Sequence, residues 1–295
     1  MKVLVTGAGG TVGSALMPAL TKRGHEAVRL VRRTPRSASE IQWNPNGQPD
    51  PKLVDGAAAI VHLAGETIAG GRWSAEKKSA IRDSRVLGTR TIAKSILAAA
   101  NPSRVLVSGS AIGFYGSRAD EVLTEKSAAG SGFLADVCRA WEDEAQAARA
   151  AGTRVVMLRT SVVLAPSGGA LAKMLPPFRM GLGGKIGSGA QWWSWIALPD
   201  LIELILAALT DDKFQGPLNA ASPNPVTNLE FTNTLGHVLH RPTIFPLPAL
   251  AVKIAFGEMG EELLLASQRV QPAASLAAGF QYQYSGLESA LKGIL

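Results

Sequence analysis

The sequence predicts an α/β protein, a Rossmann-type doubly wound parallel sheet with a smaller mixed C-terminal lobe. Three observations carry that expectation. Residues 1–6 form an apolar strand that runs directly into a glycine-rich turn and a helix. Short apolar strands then alternate with helical segments as far as Leu164, the rhythm of a parallel sheet covered on both faces. Beyond Leu164 the texture changes to glycine- and proline-rich stretches around clustered tryptophans.

Gly7, Gly10 and Gly13 in Gly7-Ala8-Gly9-Gly10-Thr11-Val12-Gly13 keep a three-residue spacing. Such glycines serve a sharp turn out of the strand, a close approach of ligand to backbone, and tight packing of helix on sheet. The helix that follows, at about 14–23, offers unpaired N–H groups and a partial positive charge at its start. A strand at 25–31 comes next and is closed by Arg32 and Arg33. Strand, glycine turn, helix and strand together describe a dinucleotide site, with Gly7, Gly10, Thr11, Val12, Gly13 and Val31 among its contacts. A site for NAD(H) places an acid after the second strand, whereas here the first acid is Glu40. A guanidinium fork suits a 2′-phosphate, so Arg32 and Arg33 predict NADP(H).

Further along, Ile41-Gln42-Trp43 reads as a short extra strand before a turn at Asn46-Gly47, and 57–63 as a buried strand ending in His62-Leu63-Ala64-Gly65-Glu66. His62, Leu63 and Ala64 then lie beside the cofactor, with Leu63 and Ala64 as backbone contacts. One or two helices fill 73–100, a strand 104–108, a helix 133–150 with acidic residues on its outer face, and a strand 154–158. Val162, after that strand, approaches the nicotinamide. A helix at 198–209 has Pro199 and Asp200 in its first turn. Residues 218–221 read as one more sheet strand, and Thr227-Asn228-Leu229-Glu230 as a capping box opening a helix to about Leu239. Helices are expected near 249–256 and 259–267, a small strand at 280–284, and a final helix capped by Ser285-Gly286-Leu287-Glu288. Residues 1–165, completed by 196–222, make the cofactor-binding unit, and 166–195 with 223–295 the substrate-side lobe.

Composition excludes several classes. With 46% hydrophobic and 18% charged residues among 295, the chain is an ordinary globular one. No apolar run is long enough for a bilayer, and the N-terminus reads as a folded strand rather than a signal peptide. The single cysteine, Cys138, allows no internal disulfide and fits a reducing cytoplasm. The net charge of +7 is spread along the chain without a basic block interleaved with aromatics. Nucleic acid is therefore not an expected partner, while an anionic cofactor accounts for part of the charge. The four histidines have no metal-ligand spacing, so no metal is expected. Oligomeric state is left open.

Thr6-Gly7-x-x-Gly10-x-x-Gly13, His62-Leu63-Ala64-Gly65, and Ser108-Gly109-Ser110 followed by Tyr115-Gly116 resemble the extended short-chain dehydrogenase/reductase superfamily. Gly168-Gly169-Ala170-Leu171, Leu175-Pro176-Pro177-Phe178, Gly187-Ser188-Gly189, Trp195-Ile196 and Phe256-Gly257-Glu258-Met259 are similar to its atypical branch of epimerase family proteins. The resemblance covers nearly the whole chain. It implies chemistry built on a Tyr and a Lys four residues later, the phenol exchanging a proton with the substrate oxygen. Those positions fall near Leu134 and Cys138, and the chain contains no Tyr-x-x-x-Lys. The supporting Asn would fall at Arg85, which the likeness turns toward cofactor contact.

The remaining candidates for chemistry are Ser110, Tyr115 and Cys138, near the carboxyl edge of the sheet where ligands bind. Ser110 can orient a reacting oxygen, and Tyr115, Cys138 or water can supply the proton. Glu66 is a possible base. Trp192, Trp193 and Trp195 can wall a substrate pocket. The leading expectation is an NADP(H)-binding oxidoreductase acting on a small carbonyl or alcohol. Alternatives are a non-catalytic NADP(H)-binding redox sensor and a nucleotide-sugar epimerase-like enzyme.

Overall fold

A computed structural model describes residues 1–295. Seven strands form the main sheet: β1 (Lys2–Thr6), β2 (Glu26–Val31), β3 (Glu40–Gln42), β4 (Ala59–His62), β5 (Val105–Ala111), β6 (Arg154–Thr160) and β7 (Gly216–Ala220). All pair in parallel, in the order β7-β6-β5-β4-β1-β2-β3. The chain starts at β1, winds outward to β3, and returns to lay β4 against the other side of β1. This reversal opens a crevice at the carboxyl ends of β1 and β4, where ligands bind in such sheets.

The strands are apolar on both faces because both are covered. On one side Val3, Val5, Val61 and Val107 pack against Leu16 and Leu20 of the helix Thr11–Lys22 and against Leu201, Leu204 and Ile205 of the helix Leu198–Thr210. On the other, Leu4, Ile60, Leu106 and Val155 meet Ile92 and Ile96 of the helix Ala75–Ala98. That segment is a single 24-residue helix, opened by Ser74, whose hydroxyl accepts from the Lys77 N–H at 3.2 Å.

The C-terminal lobe has its own core, built from Leu171, Leu175, Phe178, Trp193, Trp195, Phe231, Leu235 and Leu291. Two short strand pairs tie it to the chain leaving the sheet, Trp195–Ala197 beside Val162–Leu164 and Arg269–Val270 beside Val122–Leu123, and a third, Trp192–Trp193 beside Val226–Thr227, lies within the lobe. The capping box forms as expected, with Thr227 and Glu230 bonded reciprocally at 2.7 and 3.2 Å.

Four expectations need correction. The helix at 133–150 is α-helical over Phe133–Gln146 and tightens to 3-10 geometry over Ala147–Ala151. The helix at 259–267 is a short turn, Glu258–Gly260, followed by a π-helical turn, Glu261–Leu265. No strand forms at 280–284. The N–H groups of Gln283 and Tyr284 instead donate to the buried Asp200 carboxylate at 2.7 and 3.0 Å. A carboxylate placed by the first turn of the helix Leu198–Thr210 thus satisfies the donors that a ladder would have used. The last helix, Leu287–Ile294, starts at Gly286 without a side-chain cap.

Candidate cofactor and substrate site

The crevice is shaped by backbones in close contact. Gly7 has φ +67°, and a Cβ there would stand 2.7 Å from the Leu63 carbonyl carbon. A Cβ on Gly13 would run into the Gly7 carbonyl, so the helix Thr11–Lys22 packs against the turn itself. Gly10 is the N-cap of that helix, and its N–H donates to the Gly7 carbonyl at 3.0 Å. Thr11 and Val12, the first helical residues, are half-buried, and Gly168 closes against the Thr11 side chain. The cap position has no side chain to bond the helix's first N–H groups, which leaves an anion-binding end.

Thr6 joins the two strand ends. Its Oγ1 accepts the Leu63 and Ala64 N–H groups at 3.0 and 3.1 Å and lies 2.8 Å from His62 Nδ1. With two donors aimed at it, the hydroxyl sends its own proton to Nδ1, which fixes the proton of the neutral ring on Nε2. Nε2 is buried without a partner, and burial pulls the imidazole pKa down to about 4. The His62 side chain is therefore a neutral wedge behind the strand ends, with no surface for a ligand. Leu63 and Ala64 stand at the rim, half-buried.

Val31 ends β2, and the two arginines beyond it differ. Arg33 forks the Glu40 carboxylate at 2.7 and 2.9 Å. That bond and the Arg36 N–H hold Glu40 down to about 2. Arg32 is exposed and has no such partner. The structure distinguishes the two arginines, because β3 brings the Glu40 carboxylate to Arg33. Glu66 is tied to Lys77 at 2.6 Å, and this bond, with the positive Lys77, Arg32 and Arg85, lowers its pKa. It is a poor base.

At the carboxyl end of β5, the three residues proposed for chemistry lie in or against a buried network. Ser110 donates to Glu142 Oε1 at 2.6 Å. Arg159 forks the same carboxylate, Nε to Oε1 and Nη2 to Oε2, both at 2.8 Å. It also donates through Nη1 to the Tyr115 hydroxyl at 3.0 Å, and that hydroxyl donates to Asn219 Oδ1 at 2.7 Å. Burial raises the Tyr115 pKa. Cys138 is buried beside Ser110, and burial followed by the Glu142 charge pushes its thiol up to about 12. Burial and a raised pKa make Tyr115 and Cys138 weak proton donors, and Ser110 is buried with them. Glu142, expected on the outer face of its helix, is buried by its pairing with Arg159.

The helix Phe133–Gln146 carries Leu134 and Cys138 against Gly113, where their side chains lie 3.2 and 3.9 Å from the position of a Cβ. Its first N–H groups, of Phe133 and Leu134, are taken by Glu262 of the C-terminal lobe at 2.8 Å each. Arg85 reaches in from the helix Ala75–Ala98. Its guanidinium lies beneath Gly65 and 5.3 Å over the Trp141 ring, with one bond to the Ile81 carbonyl at 2.9 Å. Burial lowers its pKa, yet a guanidinium stays protonated, so a positive charge stands at this edge. Val162 donates its N–H to the Ser194 carbonyl at 3.1 Å, on the seam between the lobes. Of the three tryptophans, Trp193 and Trp195 are buried in the lobe core and Trp192 alone is half-exposed.

The doubly wound sheet, its glycine turn and this seam define a dinucleotide-fold protein, and comparison with known proteins says which kind. A model of the NAD dependent epimerase/dehydratase family matches residues 3–221, and one of a domain of unknown function, DUF1731, matches residues 247–294. The chain belongs to the NAD dependent epimerase/dehydratase family. It is 42% identical over 290 residues to an epimerase family protein of Mycobacterium tuberculosis, covering 98% of this chain and 96% of the relative. The crystal structure of human epimerase family protein SDR39U1 (isoform 2) with NADPH superposes with a TM-score of 0.91 at 35% identity, covering 100% of this chain and 99% of that one. A nucleoside-diphosphate sugar epimerase from Corynebacterium glutamicum superposes at 0.83 with 38% identity, covering all of this chain and 58% of that one.

Two measurements check the buried groups. The folded protein holds His62 neutral down to about pH 4, whereas the unfolded chain protonates it near 6.5. Stability should therefore fall as the pH drops from 6.5 toward 4, by about 3 kcal/mol at most from this group. In urea titrations, His62→Gln should flatten the slope across that window, and an unchanged slope would contradict the assignment. Glu142→Ala leaves Arg159 buried without its carboxylate and should cost about 3–5 kcal/mol. A loss under about 1 kcal/mol would mean that the pair is solvated.

Proposed function

We propose that this protein is an NADP(H)-dependent oxidoreductase acting on a small carbonyl or alcohol, working without the superfamily's Tyr and Lys. The observation that carries this reading is the exposed Arg32, which no carboxylate bonds, beside a glycine turn with no room for a Cβ. The residues fit the cofactor: Gly7, Gly10 and Gly13 shape the turn, the N–H groups of Thr11 and Val12 face its phosphates, and Arg32 is free for a 2′-phosphate. Val31, Leu63 and Ala64 flank the adenosine, and Arg85 and Val162 stand at the nicotinamide end. The human relative crystallised with NADPH supports the same cofactor for this chain.

NADP(H) supplies a hydride when bound. The chain's own residues do the rest. Arg85 offers positive charge from the helix Ala75–Ala98 at the edge where the superfamily's Lys would lie. Ser110 spends its proton on Glu142, so its oxygen acts as an acceptor and orients a substrate hydroxyl. With Tyr115 and Cys138 both withdrawn, the proton comes from water. The same withdrawal favours a second reading, a non-catalytic NADP(H)-binding redox sensor. It counts against an epimerase that oxidises and re-reduces its substrate through a tyrosine.

Turnover separates the two. Purified protein should consume the nicotinamide absorbance with NADPH and a panel of aldehydes, ketones and quinones, or generate it with NADP+ and the matching alcohols, and Ser110→Ala should reduce the alcohol rate, where a substrate hydroxyl donates to Ser110. Tight binding with no turnover across the panel would favour the sensor. The arginines supply a further test, because Arg33 is already paired. Arg32→Ala should weaken NADPH binding by roughly tenfold or more while sparing NADH, and Arg33→Ala should weaken it less. Equal losses for both cofactors would overturn the 2′-phosphate role.

A further inference from the structure

Large apolar side chains stand out from one face of the C-terminal lobe. Met180 and Leu182 lie on the turn after the helix Gly169–Arg179, Ile244 and Phe245 on the extended chain after the helix Asn228–Leu239, and Leu250 and Ile254 on the helix Ala249–Phe256. Hydrogen bonds make these segments one surface. The Arg241 guanidinium donates to the Arg179 carbonyl at 2.8 Å, the Phe245 N–H to the Gly183 carbonyl at 3.2 Å, and the Leu247 N–H to the Lys185 carbonyl at 2.8 Å. The helix follows directly, with Val252 turned inward and buried, and Leu250 and Ile254, about one turn apart, facing out. Met180, Ile244, Leu250 and Ile254 are each 65–71% exposed. Single exposed apolar residues are ordinary, whereas a contiguous set marks a surface that something covers.

The charge on this face identifies its partner. Residues 176–189 and 240–257 contain no aspartate or glutamate, and they hold Arg179, Lys185, Arg241 and Lys253. Lys253 pairs with Glu261 of the next turn at 2.9 Å. The other three bond no carboxylate: Arg241 donates to the carbonyls of Arg179 and His240, and Lys185 to that of Ser188. Three cations therefore border the apolar side chains without compensation. A second copy meeting this face across a two-fold axis would set those cations against their own kind. An anionic partner is attracted instead. The apolar side chains also project as separate tips, so a partner with no pocket to match them can still take them in. A layer of anionic lipid headgroups meets both conditions, admitting aliphatic and aromatic tips between its lipids and drawing Arg and Lys to its phosphates.

We propose that this face docks on the surface of a bilayer that contains anionic lipid. Ile244, Phe245, Leu250 and Ile254 enter the boundary between headgroups and acyl chains, and Arg179, Lys185 and Arg241 meet the lipid phosphates. The contact is peripheral, since no helix of the protein is long and apolar enough to cross a membrane. Neither part suffices alone. A few apolar tips give marginal attachment, and exposed cations are screened by salt, so the two together make a reversible anchor. The proposal stands on this face alone and is independent of the cofactor reading.

The test is flotation of the full-length protein with vesicles of phosphatidylcholine alone and of equal parts phosphatidylcholine and phosphatidylglycerol. The protein should float with the anionic vesicles, stay behind with the neutral ones, and be released by raised salt. Leu250→Glu with Ile254→Glu should weaken binding by about tenfold or more. Arg179→Gln with Arg241→Gln should weaken it by about fivefold for each cation removed. All four side chains are exposed, so the melting temperature should stay unchanged in both double variants. If the wild type does not float with anionic vesicles, or if either double variant floats as well as wild type does, the proposal is wrong. Sedimentation velocity at rising protein concentration gives a second route to failure. A dimer that Leu250→Glu with Ile254→Glu dissociates would mean that this face joins two copies of the chain, and would overturn the lipid assignment.

Discussion

The Thr6 hydroxyl is the point on which the site is built. It ends β1, holds the first two residues after β4 by their N–H groups, and sets the ring of His62 behind both. Because it draws Leu63 and Ala64 so close, Gly7 has no room for a side chain. Because Gly7 turns sharply there, Gly13 must also be bare for the helix to pack. The phosphate-facing helix end, the adenosine rim and the neutral histidine wedge all follow from one oxygen with two donors and one acceptor around it. Satisfying these groups internally keeps the strand ends apolar beneath and leaves the helix N–H groups as the crevice's open donors.

Where the superfamily keeps its proton relay, this chain has a buried ionic network. Arg159 and Glu142 form a bidentate pair, and Ser110 and Tyr115 are spokes attached to it. Such a pair adds little net stability over an apolar core, but it is costly to break, so it fixes the geometry of what touches it. Ser110 is held to one orientation, Tyr115 is locked against Asn219, and Cys138 is sealed as a neutral thiol. A positive charge at this edge stands on another element, Arg85 on a sheet-covering helix. Glu262, reaching from the C-terminal lobe to the first N–H groups of the helix Phe133–Gln146, ties the two sides together.

The alternating strands and the glycine spacing were legible because each depends on residues near one another in the chain. The sheet, its two covered faces and the turn at Gly7 accordingly match expectation. What depends on register did not. Arg32 and Arg33 look equivalent until β3 pairs with β2 and delivers Glu40 to one of them. Glu142 reads as a surface acid because its partner is a strand residue, Arg159, 17 positions on. A charged residue inside an otherwise apolar strand was the available signal. The aromatic alternation of 280–284 imitates a strand, and only the buried Asp200 reveals that its N–H groups are already taken.

The central claim is that the crevice accepts a dinucleotide bearing a 2′-phosphate. The most direct measurement is the affinity of the unmodified protein for NADPH and for NADH, each titrated at low and at raised salt. The account predicts that NADPH binds more tightly by about tenfold or more and that added salt narrows the gap, because the difference is an exposed charge pair at Arg32. Equal affinities, or a preference for NADH that salt leaves unchanged, would contradict it.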